Sequence, residues 1–124
     1  MYLLDTNAVI AVLKGSDTLL SRMKAVAPQD VAISSIVAPE LFYGAYRSCR
    51  VEENQSRVDR LRFHTLEFDR DDARCAGEIR AGLARDGIPI GPYDILIAGQ
   101  ASSRSLILVT RNDREFSRIA GLKV

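Results

Sequence analysis

Short apolar runs recur along this chain at residues 2–4 (YLL), 31–34 (VAIS), 63–68 (FHTLEF) and 106–110 (LILVT), and between them the apolar period becomes helical. Runs this short, β-branched or aromatic, suit strands buried on both faces. Residues 122–124 (LKV) read as a weaker fifth strand. Across 71–87, residues Ala73, Ala76, Ile79 and Leu83 fall on one helical face, Asp71 or Asp72 suits the N-cap, and Gly87 suits the position just past the end. Leu41, Ala45 and Cys49 line a second stripe. Ile95, Leu96, Ala98, Gly99 and Ala101 give the small-residue face of a helix opened by Gly91-Pro92. Strands alternating with helices need crossover connections, which cover both faces of a parallel sheet. The expected fold is therefore α/β, a three-layer α/β/α domain around a parallel sheet of four to five strands. At 124 residues this is one domain, 1–124.

In such sheets function gathers outside the carboxyl ends of the strands. Asp5 sits there, between the run 2–4 and the helical stretch after it. Glu40 falls in the first turns of the helix after VAIS, Asp94 in the first turn after Gly91, and Asp113 just past LILVT. Each has a plainer explanation, because acids favour helix N-termini: Asp5, Asn112 or Asp113 as a cap, Glu40 and Asp94 as partners of a helix dipole. Together they deliver carboxylates to one edge of one sheet. Like charges held close cost free energy unless a cation neutralises them or their pKa values rise. Oxygen donors without His or Cys suit a hard ion, Mg²⁺ or Mn²⁺, and such an ion activates water against a phosphodiester. The lone His64 rules out a His acid/base pair by count.

Composition limits the partners only weakly. With 17 basic and 16 acidic residues the net charge is +1, so charge alone names no ligand. Arg47, Arg50, Arg57, Arg60 and Arg62 crowd together, either as a solvated helix face or as a nucleic-acid contact. Cys49 and Cys75 lie far apart, with no disulfide framework or metal spacing, which suits a reducing compartment. The apolar start lacks a basic n-region, and its longest uninterrupted run, AVIAVL, is too short to cross a bilayer. A cytoplasmic location without membrane contact is expected.

The motifs LLDTN, ISSIVAPELFYGA, GPYDILIAGQA and LVTRNDREF, in this order over nearly the whole chain, resemble PIN-domain ribonuclease toxins of the VapC type. The resemblance implies a PIN-like domain with an acidic Mg²⁺ pocket that cleaves RNA, neutralised by a small cognate VapB-like antitoxin. It implies homodimers in larger toxin–antitoxin complexes, which reach operator DNA through the antitoxin. By position it makes Asp5, Glu40, Asp94 and Asp113 the catalytic acids. Asp5, Asp94 and Asp113 would be the metal ligands, and Thr6, Asn7, Thr110 and Asn112 the donors that orient them. Some relatives carry a further acid one turn after the third, where this chain has Ala98. Pro39, directly before Glu40, lies too deep for a helix capped at Ser35, so the helix starts nearer Ala38 or its first turn is distorted. Leu41, Phe42 and Tyr43, with the basic helix 52–62, offer a groove for an amphipathic antitoxin helix.

Two other classes compete. A phosphoacceptor receiver domain also gathers acids at a sheet edge, but needs an Asp ending a middle strand and a Lys ending the last. A catalytically silent PIN-fold binding module would carry the same four acids misaligned.

Overall fold

β1 (Tyr2–Leu4) is the centre of the domain, since Leu3 and Leu4 point to opposite faces and are both buried. The computed structural model describes residues 1–61 and 63–124, so the expected contribution of Arg62 lies outside the described residues. After β1 come α1 (Thr6–Leu13), α2 (Asp17–Lys24), a single 3₁₀ turn (Pro28–Asp30) and β2 (Val31–Ser34). Then follow α3 (Val37–Arg47), α4 (Val51–Asp59), β3 (His64–Leu66), α5 (Arg70–Arg85), α6 (Pro92–Ser103), β4 (Ile107–Val109) and α7 (Asp113–Phe116). The sheet is parallel throughout, in the order β3-β2-β1-β4. β1 pairs with both β2 and β4, with Leu4 opposite Ile33 on one side and Val109 on the other. The chain thus winds to one side through β2 and β3 and returns to the other with β4. The crevice between β1 and β4 is the switch point where α/β sheets bind ligands.

Several expectations need correction. Residues 122–124 form no strand: the Lys123 carbonyl accepts one bond from the Leu108 N–H (2.9 Å), and one bond beyond the turn at Gly121 (φ +78°) makes no ladder. The cap of α5 is Asp69, not Asp71 or Asp72. Its carboxylate accepts the Asp72 N–H (2.9 Å), and the Asp72 carboxylate accepts the Asp69 N–H (2.9 Å), a capping box with Asp in the place usual for Glu. On α5, Ala76 and Leu83 are buried, Ile79 is half-buried, and Ala73 is exposed. Cys49 lies past the end of α3 and is exposed, so it does not extend the Leu41–Ala45 stripe. Pro39 causes no distortion: α3 begins at Val37, which puts Pro39 in the first turn, where a backbone N–H has no intrahelical partner anyway. Gly87 (φ +69°) ends α5 as expected, with its N–H bonded to the Ala84 carbonyl and that of Ile88 to the Leu83 carbonyl.

α5 and α6 touch closely enough to require a glycine. A Cβ on Gly99 would lie 2.6 Å from the Ala76 Cβ. Beside that contact, the buried Gln100 amide donates to the Leu66 and Glu67 carbonyls (3.3 and 3.2 Å) and to Asp72 (3.4 Å). Arg104 reaches Asp72 (3.1 Å), Asp69 (3.4 Å) and the Glu67 carbonyl (2.7 Å). Burial pushes the Asp72 carboxyl up, but the Arg104 hydrogen bond, the Asp69 N–H and Ser103 outweigh it and hold it below its ordinary 3.8.

Two stability outcomes follow. Gly99→Ala should destabilise by about 1–3 kcal/mol through overpacking, while Gly77→Ala, with open space at its Cβ, should stabilise by about 0.5–1 kcal/mol; urea unfolding reads both signs. Arg104→Met leaves the buried Asp72 carboxylate without its cation and should cost about 3 kcal/mol at neutral pH. Because the depressed pKa of Asp72 stabilises the fold above 3.8 and that gain is lost as the pH falls, the difference should close in acid.

Candidate active site

Asp5 directly follows β1, where extended backbone (φ −78°, ψ 175°) turns into α1. It is 3% exposed, and both its oxygens are engaged. Oδ1 accepts the Ala8 N–H at 2.8 Å, the N-cap bond, and Oδ2 accepts the Thr110 hydroxyl proton from the end of β4. The cap reading is therefore met, and the same side chain stands at the β1–β4 crevice. Its backbone N–H donates to the Val109 carbonyl (3.1 Å), which ties it across the β1–β4 crevice.

Thr110 continues a chain of hydrogen bonds. Its Oγ1 accepts the Asn112 N–H (2.9 Å), and the Asn112 side-chain amide donates to Glu115 (2.8 Å). Glu115 is thereby aimed from α7. Asp94 comes from the first turn of α6 and Glu40 from the first turns of α3, both half-buried. Burial raises the Asp94 carboxyl above its ordinary 3.8, and the charges of Glu115, Asp5 and Glu40 raise it further. Burial likewise raises Asp5, and the bonds from Thr110 and Ala8 only partly offset this, while Glu40 adds to it. Asp94 thus feels the charges of Asp5, Glu40 and Glu115, and Asp5 that of Glu40, at one end of the sheet.

The other expected residues are placed less centrally. Asp113 is exposed at the start of α7 and lines a groove with Thr110, Leu19 and Met23; it is not among the charges acting on Asp5 or Asp94. Glu115, two residues later in the same motif, occupies that role. The signal for it was available in the sequence, because the first helical turn after β4 presents both acids and only one can face the crevice. Thr6 is half-buried and Asn7 exposed, and among the described residues neither side chain makes a hydrogen bond. Ser34, which ends β2, is fully buried and accepts the Ile36 N–H (3.1 Å), shaping the entry to α3. His64 is exposed, away from any ligating partner.

The donor set suits a hard divalent cation: oxygen only, with two carboxyls whose ionisation is opposed until positive charge arrives. Among the described residues, no three His, Cys, Asp or Glu side chains converge closely enough to hold a metal as they stand.

The PIN-domain family model matches residues 2–122, and the tRNA(fMet)-specific endonuclease VapC of Salmonella typhimurium is 42% identical over 99% of this chain and 95% of its own length. The chain is a PIN domain of the VapC ribonuclease toxin family. Ribonuclease VapC2 of Rickettsia felis is 40% identical over 98% of this PIN domain and 94% of its own length. Two solved structures superpose closely. VapBC2 from Rickettsia felis, bound to a DNA fragment from its promoter, gives a TM-score of 0.92 at 36% identity over 98% of this chain and 95% of that one. DNA-bound VapBC from Salmonella typhimurium gives 0.91 at 42% identity, over 98% and 94%. The family match covers the strand-end acids and sets aside the receiver-domain reading. Among the described residues no helix is long and apolar enough to cross a membrane.

The raised pKa of Asp94 carries a sign for stability. Above 3.8 the unfolded carboxyl is ionised while the folded one resists ionising, so its charge opposes folding at neutral pH and not in acid. In chelator, Asp94→Asn should melt at a higher temperature than wild type at pH 7, and the gap should vanish as the pH is lowered through 3.8.

Proposed function

We propose that this PIN domain is a metal-dependent endoribonuclease toxin, with Mg²⁺ or Mn²⁺ held by Asp5 and Asp94 and flanked by Glu40 and Glu115. The observation that carries this reading is the gathering of acids at the carboxyl end of the sheet, where burial and the charges of Glu115, Asp5 and Glu40 oppose the ionisation of Asp94, so that a cation would bring its energetic benefit where α/β sheets take ligands. When bound, such an ion polarises a phosphodiester and supplies an activated water. The chain's own residues do the rest. The Ala8 N–H and the Thr110 hydroxyl fix the Asp5 carboxylate in one rotamer, and Asn112 couples Thr110 to Glu115. Asp94 is carried on a helix whose far end is anchored by Gln100 and Arg104. Glu40, half-buried in the first turns of α3, would orient water beside the ion.

The relatives named as endonuclease or ribonuclease support RNA as the substrate. The solved VapBC complexes support a VapB-like antitoxin as partner and, through it, operator DNA. A cleft between α1, α3 and α4, with Ile10, Leu13, Leu41 and Val58 beside Lys14, Glu40 and Arg57, suits an amphipathic partner segment. A homodimer within such a complex and a cytoplasmic site of action belong to the same reading.

A second reading is favoured by one observation: no three carboxylates converge to hold a metal among the described residues, as expected of a silent binding module. Cleavage decides between them. With antitoxin-free protein, Mg²⁺ or Mn²⁺, and structured RNA that includes initiator tRNA, wild type should cut and chelator should stop it. Asp94→Asn should lose about 100-fold or more in rate, and Glu115→Gln should lose far more than Asp113→Asn. A folded wild type that cuts nothing, or an Asp94→Asn variant that cuts equally well, would establish the silent module instead.

A further inference from the structure

The exposed stripe of α3 leading away from the acids carries an aromatic ring and a cation that the fold does not use. Glu40, Tyr43, Gly44 and Arg47 share this side, since helical positions three, four and seven apart are neighbours. The core side of α3 is instead Val37, Leu41 and Ala45. Tyr43 is 62% exposed, and Tyr46, three residues on, is 59% exposed. The Arg47 guanidinium lies 5.4 Å from the Tyr43 ring centroid, and its Nη1 reaches the Tyr43 hydroxyl at 3.5 Å. Arg50 and Arg57, by contrast, are both committed to Glu53, at 3.5 and 3.2 Å. Among the described residues Arg47 has no carboxylate partner.

This arrangement meets a specific need. A site built of carboxylates repels a phosphate backbone, so a nucleic-acid strand reaching it requires positive charge close by. Arg47 stands about 10 Å along the helix from Glu40, seven residues at roughly 1.5 Å each. An open tyrosine ring beside a guanidinium plane offers a stacking surface to any base, whatever its sequence.

We propose that Tyr43 and Arg47 form a landing site for single-stranded RNA next to the acids, with a base stacked on the Tyr43 ring and the Arg47 guanidinium on the adjoining phosphate. The proposal rests on the ribonuclease reading above and adds the residues that seat the strand. Tyr43 and Arg47 are contact residues for substrate, apart from the carboxylates that act on the scissile phosphate.

The test separates seating from cleavage. In the Asp94→Asn background, with Mg²⁺ present, the affinity for a fluorescein-labelled, mixed-sequence single-stranded RNA is read by anisotropy across a salt series. Tyr43→Ala should weaken binding about tenfold or more, and Tyr43→Phe, which keeps the ring, should restore it. Arg47→Ala should lower the slope of log affinity against log salt by about 0.7. Parent-like affinity in both alanine variants would overturn the proposal, as would a parent without measurable RNA affinity. So would a Tyr43→Ala variant that changes oligomeric mass in sedimentation while binding RNA unchanged, since the face would then be a protein contact. Cleavage by wild type and its loss in Asp94→Asn are read separately, so either reading can fail without the other.

Discussion

Carboxylates buried beside like charges at the carboxyl end of a parallel sheet constrain the rest of this domain. Asp5 has to be where it is for two independent reasons: it caps α1 through the Ala8 N–H, and it faces the crevice between β1 and β4. The backbone would accept Ser or Asn as a cap almost equally well. An acid whose ionisation is opposed chiefly by burial, and further by the charge of Glu40, costs stability that a ligand favouring the charged form would offset. On the proposed reading, the fold supports a local instability that a bound cation would relieve.

That support comes from the far side of the molecule. α6 delivers Asp94 at its first turn, and its position is set by the Gly99–Ala76 contact and by Gln100 and Arg104, which fasten it to the end of β3 and the cap of α5. The cap, the helix contact and the ion pair form a single unit, because Asp72 belongs to all three. On the other side, Thr110 and Asn112 link the end of β1 to α7 and give Glu115 its direction. Two polar networks, one structural and one facing the crevice, hold the acids close without pairing them with cations.

Much of the fold was legible because the buried strands are continuous apolar runs and the helices carry clear stripes. The four strands fall where those runs are; the Asp5 position follows from the handover of β1 to α1, and that of Asp94 from the Gly91-Pro92 start of α6. What escaped was set by tertiary contact. The run at 122–124 has strand-like residues, but only one of its carbonyls finds a ladder partner. Asp69 rather than Asp71 or Asp72 caps α5, since the choice among three acids depends on where the chain leaves β3. Neither Gln100 nor Arg104 stood out in the sequence, yet Gln100 is fully buried. Glu115 was hidden behind Asp113 because which of two acids in one turn faces the crevice depends on the orientation of α7, set by the Asn112 bond.

The measurement that bears most directly on this account is the thermal unfolding of antitoxin-free protein titrated with Mn²⁺ at neutral pH, for wild type and Asp94→Asn. A cation that binds the folded acids and not the unfolded chain raises the melting temperature with the logarithm of its concentration once that exceeds Kd. The expected result is a continuing, logarithmic rise with Mn²⁺ in wild type that is absent or much reduced in Asp94→Asn. An equal rise in both proteins, or none in either, would contradict the claim that these strand-end carboxylates are a cation site.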